Sequence, residues 1–155
     1  MNDFAAPTLE LVARLRVRVA APLEIGSVGA GRRRVVPIVG GEVLGPRLKG
    51  VVEPGGADFQ LVRPDSVAEL DARYVMRLDD GTAVYVTNRA LRRASPEVTE
   101  QLVRGEAVDP SRVYFRCAPS FEVQDGPWRW LAENVFIGTG VRKPDAVEMA
   151  FFLVR

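Results

Sequence analysis

The sequence predicts an all-β fold: a single antiparallel β-barrel of about 8–10 strands with one short helix near one end. Three observations carry this. Residues 9–19 alternate almost without fault, with Leu9, Leu11, Ala13, Leu15, Val17 and Val19 on one face and Glu10, Arg14, Arg16 and Arg18 on the other; a period of two over this length is a strand signal. Turn or bend signals recur at short intervals between runs of strand character: Gly40–Gly41, Gly45–Pro46, Pro54–Gly55–Gly56 and, as a hairpin turn, Asp79–Asp80–Gly81. Only one stretch carries both a helix start and a helix stop. A length of 155 residues suits one domain. The expected division is a loose arm at residues 1–8 and the barrel at residues 9–155.

The elements follow in order. After the first strand, Ala20, Ala21 and Pro22 make a turn or an edge, and residues 23–30 form a short, glycine-rich run. Its GSVGAGRRR sequence offers glycine backbone and arginines, yet lacks a phosphate-loop lysine and dinucleotide spacing, and no helical pattern follows. Residues 32–39 read as a strand, with Pro37 marking an edge or bulge. Four short runs then alternate with turns: residues 42–44, 47–53, 58–62 and 67–78, with Gly50 fitting a bulge or tight corner. Aspartate-glycine at residues 80–81 pairs the last of these with residues 82–88 as a hairpin. Arg89 to Arg93 is expected to leave the sheet. Ser95, Pro96 and Glu97 suit the N-cap, first turn and positive end of a helix, and Gly105 ends it. Residues 112–118 resume a strand, Pro119 interrupts it, and residues 120–123 continue. A helical turn at residues 128–131, a strand at 135–139 and a closing strand at 146–154 complete the chain. The AFFLV run in that last strand is apolar on both faces, which suits a second layer or a contact between copies.

A set of motifs resembles a known family. They are GG-x3-GP-x-L-x-G from Gly40, PGGADFQ from Pro54, ELDARY from Glu69, YVTNR from Tyr85, Tyr114-Phe-Arg116, and WLAENVF from Trp130 leading into Gly138-Thr-Gly140. Together they resemble domain-of-unknown-function family 3237, a mostly bacterial family, across residues 11–153. The resemblance implies a single-domain β-barrel and no settled activity. Two positions depart from the pattern: Phe59 stands where a tryptophan is expected, and Ala90 where a glycine is common.

Composition limits the chemistry. There is no histidine, so serine–histidine and cysteine–histidine nucleophile schemes are excluded within one chain. Acid–base work would fall to shifted carboxylates, tyrosine, lysine or cysteine, and the lysines are Lys49 and Lys143 alone. No cofactor and no metal site is expected, since no acidic loop has calcium spacing. The net charge of +1 argues against a nucleic-acid partner. No apolar run reaches the roughly 20 residues of a membrane helix, and the first residues lack the pattern of a signal peptide. The single Cys117 fits a reducing, cytoplasmic setting and reads as a buried apolar residue.

The candidate site centres on ELDARY. Glu69, Asp71 and Arg73 share one strand face, which turns either to water or into a polar lumen, the latter with Tyr74 and Met76 packed outside. Composition favours water; the resemblance favours the lumen; both stay open. In a lumen, a carboxylate beside Arg73 would be held ionised and a second, unpaired one pushed toward neutrality, giving a base and an acid without histidine. Asp58 and Asp71 are the first such pair, with Tyr85 as a third catalytic candidate and turn or packing roles as the alternatives. Glu69, Arg73, Asn88, Tyr114, Arg116 and Trp130 are candidate substrate contacts: guanidinium forks for an anionic oxygen, hydroxyl and amide donors, and an aromatic wall. Three functions fit: a cofactor-free isomerase, cyclase or lyase acting on an oxygenated organic acid or phenol; a small-ligand binding protein without turnover; or a structural homo-oligomer assembled through exterior strands.

Overall fold

The computed structural model describes residues 3–155. Among them lie ten strands, β1 (Leu9–Val19), β2 (Leu23–Val28), β3 (Gly31–Pro46), β4 (Lys49–Val52), β5 (Ala57–Val62), β6 (Val67–Leu78), β7 (Ala83–Arg93), β8 (Tyr114–Val123), β9 (Phe136–Arg142) and β10 (Ala146–Val154). One α-helix, α1 (Pro96–Val103), and two short 3-10 turns, Pro110–Arg112 and Arg129–Ala132, complete the architecture. Residues 3–7 run exposed before β1; the first two residues of the expected arm lie outside the described residues.

Every pairing is antiparallel, and eight strands close a ring: β1, β10, β9, β8, β7, β6, β5, β3 and back to β1. Closure leaves no ring strand with a bare edge along its whole length. The two further strands are β2, which pairs with β3, and β4, which continues the line of β5 between β3 and β6. The length of β3 makes this possible. Its first half pairs with β2 and β5, its second half with β1 and β4. Between the halves Gly40 and Gly41 adopt φ +147° and +157°, and the β1 register slips by one residue there. Gly41 has a second reason to be glycine: a Cβ would overlap the Arg16 carbonyl oxygen. Gly40–Gly41 is therefore a bend inside one long strand, the second of the turn-or-bend readings that the double glycine allows.

Two further expectations are corrected. Arg89–Arg93 stays in the sheet as the end of β7, each residue paired with both β6 and β8. Five consecutive residues, three of them arginine, look like solvated loop, but the outward positions Arg89, Leu91 and Arg93 tolerate charge while Ala90 and Arg92 face inward. Pro119 does not interrupt β8, which runs unbroken through it. The β8–β9 ladder holds only Arg116–Thr139 and Cys117–Gly138, so no β9 partner demands a donor at Pro119.

The helix forms as its signals require. Ser95 accepts the Val98 N–H at 3.2 Å and Pro96 opens the first turn. Val98 and Leu102 are buried beneath it. Arg34 of β3 donates from Nη2 to the Val103 carbonyl at 3.0 Å, tying the helix to the barrel end that the β2–β3 extension forms.

At the opposite end the barrel is filled. Phe121 meets Phe136 edge-to-face at 5.0 Å and Phe151 at 6.0 Å. Val12, Leu15, Leu48, Met76, Leu78, Val84, Val86 and Leu131 complete this plug, each at most 2% exposed. The AFFLV run is thereby divided. Phe151 and Leu153 enter the plug, while Ala150, Phe152 and Val154 lie half-buried on the outside.

Candidate active site in the barrel lumen

The α1 end of the lumen differs in kind. On β5 the inward side chains are Asp58, Gln60 and Val62; on β6 they are Ala68, Leu70, Ala72 and Tyr74; on β7, Asn88, Ala90 and Arg92. The ladders set them in rows: Asp58 with Ala72 and Asn88, then Gln60 with Leu70 and Ala90, then Val62 with Ala68 and Arg92. Arg34 from β3 and Arg142 from β9 enter the same end. Small side chains, Ala72 and Ala90, leave room between the polar ones. A small cavity of about 50 Å³ is bordered by Asp58, Gln60, Tyr74, Asn88 and Arg142 on an otherwise apolar wall that includes Val36, Leu70, Phe115 and Met149.

Asp58 is fixed at two points. Gln60 Nε2 donates to its Oδ2 at 2.8 Å, and the backbone N–H of Asp71 to its Oδ1 at 3.1 Å. Burial nonetheless raises its pKa above the ordinary 3.8, outweighing these bonds and the attraction of Arg92. Arg92 is 3% exposed. Burial lowers its pKa to about 10, helped by repulsion from Arg142 and Arg34 and opposed by Asp58. Burial drives the Tyr74 phenol far upward, so it serves only as a neutral donor and acceptor. Cys117 is pushed up to about 12 by burial, with a hydrogen bond from Asn88 working the other way; it is no nucleophile.

Among the described residues, four buried side-chain polar atoms lack any partner: Gln60 Oε1, Tyr74 Oη, Asn88 Oδ1 and Arg92 Nη2. All four belong to this end of the lumen. Native interiors rarely tolerate such atoms, each costing about 1–3 kcal/mol, so their gathering in one place singles out this end of the lumen as the candidate site.

The sequence-predicted residues divide. Asp58 and Asn88 enter the lumen together. Glu69, Asp71 and Arg73 do not: Leu70, Ala72 and Tyr74 hold the inward phase of β6, so the charged face looks out. Arg73 forks onto Asp71 at 3.2 and 3.4 Å outside the barrel, with the Tyr85 hydroxyl beside it. The expected Asp58–Asp71 carboxylate pair is thus absent. Asp71 contributes its backbone N–H instead of its side chain. Tyr85, Tyr114 and Arg116 also face outward, the last stacking on the Tyr114 ring at 5.3 Å. Trp130 lies at the plugged end, 6.1 Å from Phe136 and beneath the Arg47 guanidinium. Phe59 is exposed, and Ala90 lies in mid-strand rather than at a turn.

Five residues of the site are not among the sequence-predicted candidates: Arg34, Arg92 and Arg142 lie outside the motifs, while Gln60 and Tyr74 are the last residues of PGGADFQ and ELDARY. Phase finds three of them. Gln60 shares its parity with Asp58, Arg92 with Asn88, and Tyr74 with Leu70 and Met76, all inward. Tyr74 and Met76 therefore line the interior, against the exterior position that a charged lumen would have given them.

Among the described residues no group of three or more carboxylate or cysteine side chains is gathered as metal ligands, and no helix is long and apolar enough to cross a membrane.

Known proteins share this architecture. A UPF0311 protein of Rhodopseudomonas palustris (strain TIE-1) is 43% identical over 143 residues, 91% of this chain and 94% of its own. The crystal structure of a conserved protein of unknown function from the same species superposes with a TM-score of 0.92 at 37% identity, covering 98% of this chain and all of that one. The crystal structure of an enzyme from Penicillium herquei gives a TM-score of 0.74 at 18% identity, covering 100% and 99% of the two chains, a likeness of fold. The family model described as protein of unknown function, DUF3237, matches residues 7–154, and the chain belongs to that family.

Proposed function

We propose that the α1 end of the lumen is a small-molecule site that performs cofactor-free acid–base chemistry, of the isomerase, cyclase or lyase type, on an oxygenated organic acid or phenol. The observation that carries this is Asp58. A buried carboxyl with a raised pKa borders a cavity rimmed by unpartnered polar atoms. In a dry pocket such a carboxyl holds a proton more readily than a surface aspartate and can deliver it to a carbon or oxygen, then take one back. Tyr74 supplies a neutral O–H to an oxygen on which charge develops, and Arg142 a cation on the same wall. The single lumen carboxyl replaces the two-carboxylate scheme: the same group serves as acid and base in turn. That one protein of this fold is an enzyme is compatible with the proposal and decides nothing about this chain.

The test works whatever the product is. The protein is dialysed against chelator and incubated with a panel of hydroxylated aromatic and keto acids in D2O, and substrate C–H exchange or conversion is followed by NMR. Exchange or turnover that falls at least ~100-fold in Asp58→Asn supports the proposal, in line with the usual contribution of a general acid–base group. Binding without exchange favours the carrier alternative. No binding across the panel contradicts a pocket function.

A further inference from the structure

The charges and orphan atoms of the lumen describe the complement of a ligand. Arg34, Arg92 and Arg142 bring three guanidinium groups to one barrel end. Arg34 is matched: its Nε donates to Glu24 Oε1 at 2.8 Å and its Nη2 to the Val103 carbonyl. Arg142 Nη1 donates to the carbonyls of Lys143 and Ala146, which are neutral. Asp145 attracts Arg142 only from the surface, where it is engaged with Arg16. Arg92 has Nη2 without a partner. Against the last two cations the lumen offers Asp58 alone, a group already disposed to keep its proton. Arg92 is buried and Arg142 half-buried, and a buried cation without a counter-charge is among the costliest features a fold can hold.

The orphan atoms add direction. Gln60 is oriented by its Nε2 bond to Asp58, which turns Oε1 away as a free acceptor. Asn88 Oδ1 is a second free acceptor on the same wall. The free acceptors therefore ask for O–H or N–H groups, while the arginines ask for an anionic oxygen. The remaining wall of Val17, Val36, Ile38, Leu70 and Phe115 is apolar and suits a hydrocarbon or aromatic body.

We infer that the ligand of this site is a hydroxylated carboxylate: an apolar body with one anionic oxygen pair for the arginine side and two hydroxyl donors for Gln60 and Asn88. This rests on the lumen being a small-molecule site and narrows its substrate class from acids and phenols in general to acids that also bear hydroxyls.

The test uses a matched set: 4-hydroxymandelate, its carboxamide, and phenylacetate, read by calorimetry and thermal shift on the full chain. The inference expects the hydroxy acid to bind roughly tenfold or more tightly than its amide, one charge-assisted hydrogen bond converting to about that factor, and phenylacetate to bind more weakly than the hydroxy acid. Arg142→Met should abolish the preference for acid over amide, the acid losing more affinity than the amide. Equal binding of acid and amide overturns the charge inference and leaves the pocket standing. Equal binding of hydroxy acid and phenylacetate overturns the hydroxyl inference in the same way. Failure of all three, and of neutral and cationic aromatic compounds alongside them, overturns both the inference and the small-molecule reading beneath it.

Discussion

The two ends of this barrel are built from the same strands and opposite chemistry. At one end Phe121, Phe136 and Phe151 interlock with a shell of leucine, valine and methionine. At the other, Gln60, Tyr74, Asn88 and Arg92 are buried and Asp58 half-buried, and four of their polar atoms are unpaired beside a cavity. The strands β6 and β7 cross from one regime to the other within a few residues: Met76 and Val84 lie in the plug, Ala72 and Asn88 in the cavity. Apolar packing is thus concentrated in the plug, and the polar end is carried by it. That division is what a protein needs if part of its interior is to be shaped for a ligand rather than for folding.

The comparison can be broken by substitution. The largest effect should come from the plug. Phe151→Ala removes a fully buried ring and should cost about 3–5 kcal/mol in chemical denaturation; a loss below ~1 kcal/mol would show that this end is not the stabilising one.

Asp58→Asn should act in the other direction, raising stability at neutral pH. The carboxyl has a higher pKa in the folded chain than in the unfolded one. Above the folded value the native state carries an ionised buried group, and stability is reduced. As pH falls through that value toward the ordinary 3.8, the native state takes up its proton first and the penalty is withdrawn. The stability difference between Asp58→Asn and wild type should therefore be largest near pH 7 and shrink on acidification. Denaturation curves across pH measure it, and a variant less stable at pH 7 would contradict the assignment.

Tyr74→Phe is the next smaller change. It deletes a buried hydroxyl that bonds to nothing, so stability should hold or rise by up to about 1 kcal/mol, while ligand affinity falls. A clear loss of stability would mean the hydroxyl is satisfied.

The smallest effect belongs to the outer face. Asp71→Asn should leave both stability and ligand binding within experimental scatter, because the Asp71–Arg73 pair is solvent-exposed and the N–H that holds Asp58 is retained.

How far the sequence reaches follows from the same contrast. Alternation in β1, the Asp80–Gly81 hairpin and the Ser95 cap are local signals, and the structure repeats them. Barrel closure is legible too, since so many short strands need their edges covered. The direction of a strand face is not local. The alternation in ELDARY puts three charges on one side, but the inward side is chosen by which neighbours it meets: Asp58 and Gln60 across β5, Asn88 and Arg92 across β7. Arg92 is hidden for a related reason. Within RALRR every arginine looks solvated, and only the register inherited from Val84 and Val86 turns one of them inward. Arg142 enters from the far end of the chain, beyond any spacing rule.

The most direct measurement is the titration of Asp58 itself, followed by the carboxyl 13C resonance in protein labelled at aspartate, with Asp58→Asn to assign the signal. A midpoint above 3.8, the ordinary aspartate value, is what the buried lumen site requires. A midpoint at or below that value would mean that the carboxyl is solvated or firmly paired, and the polar end of the barrel would then be a structural network rather than a site.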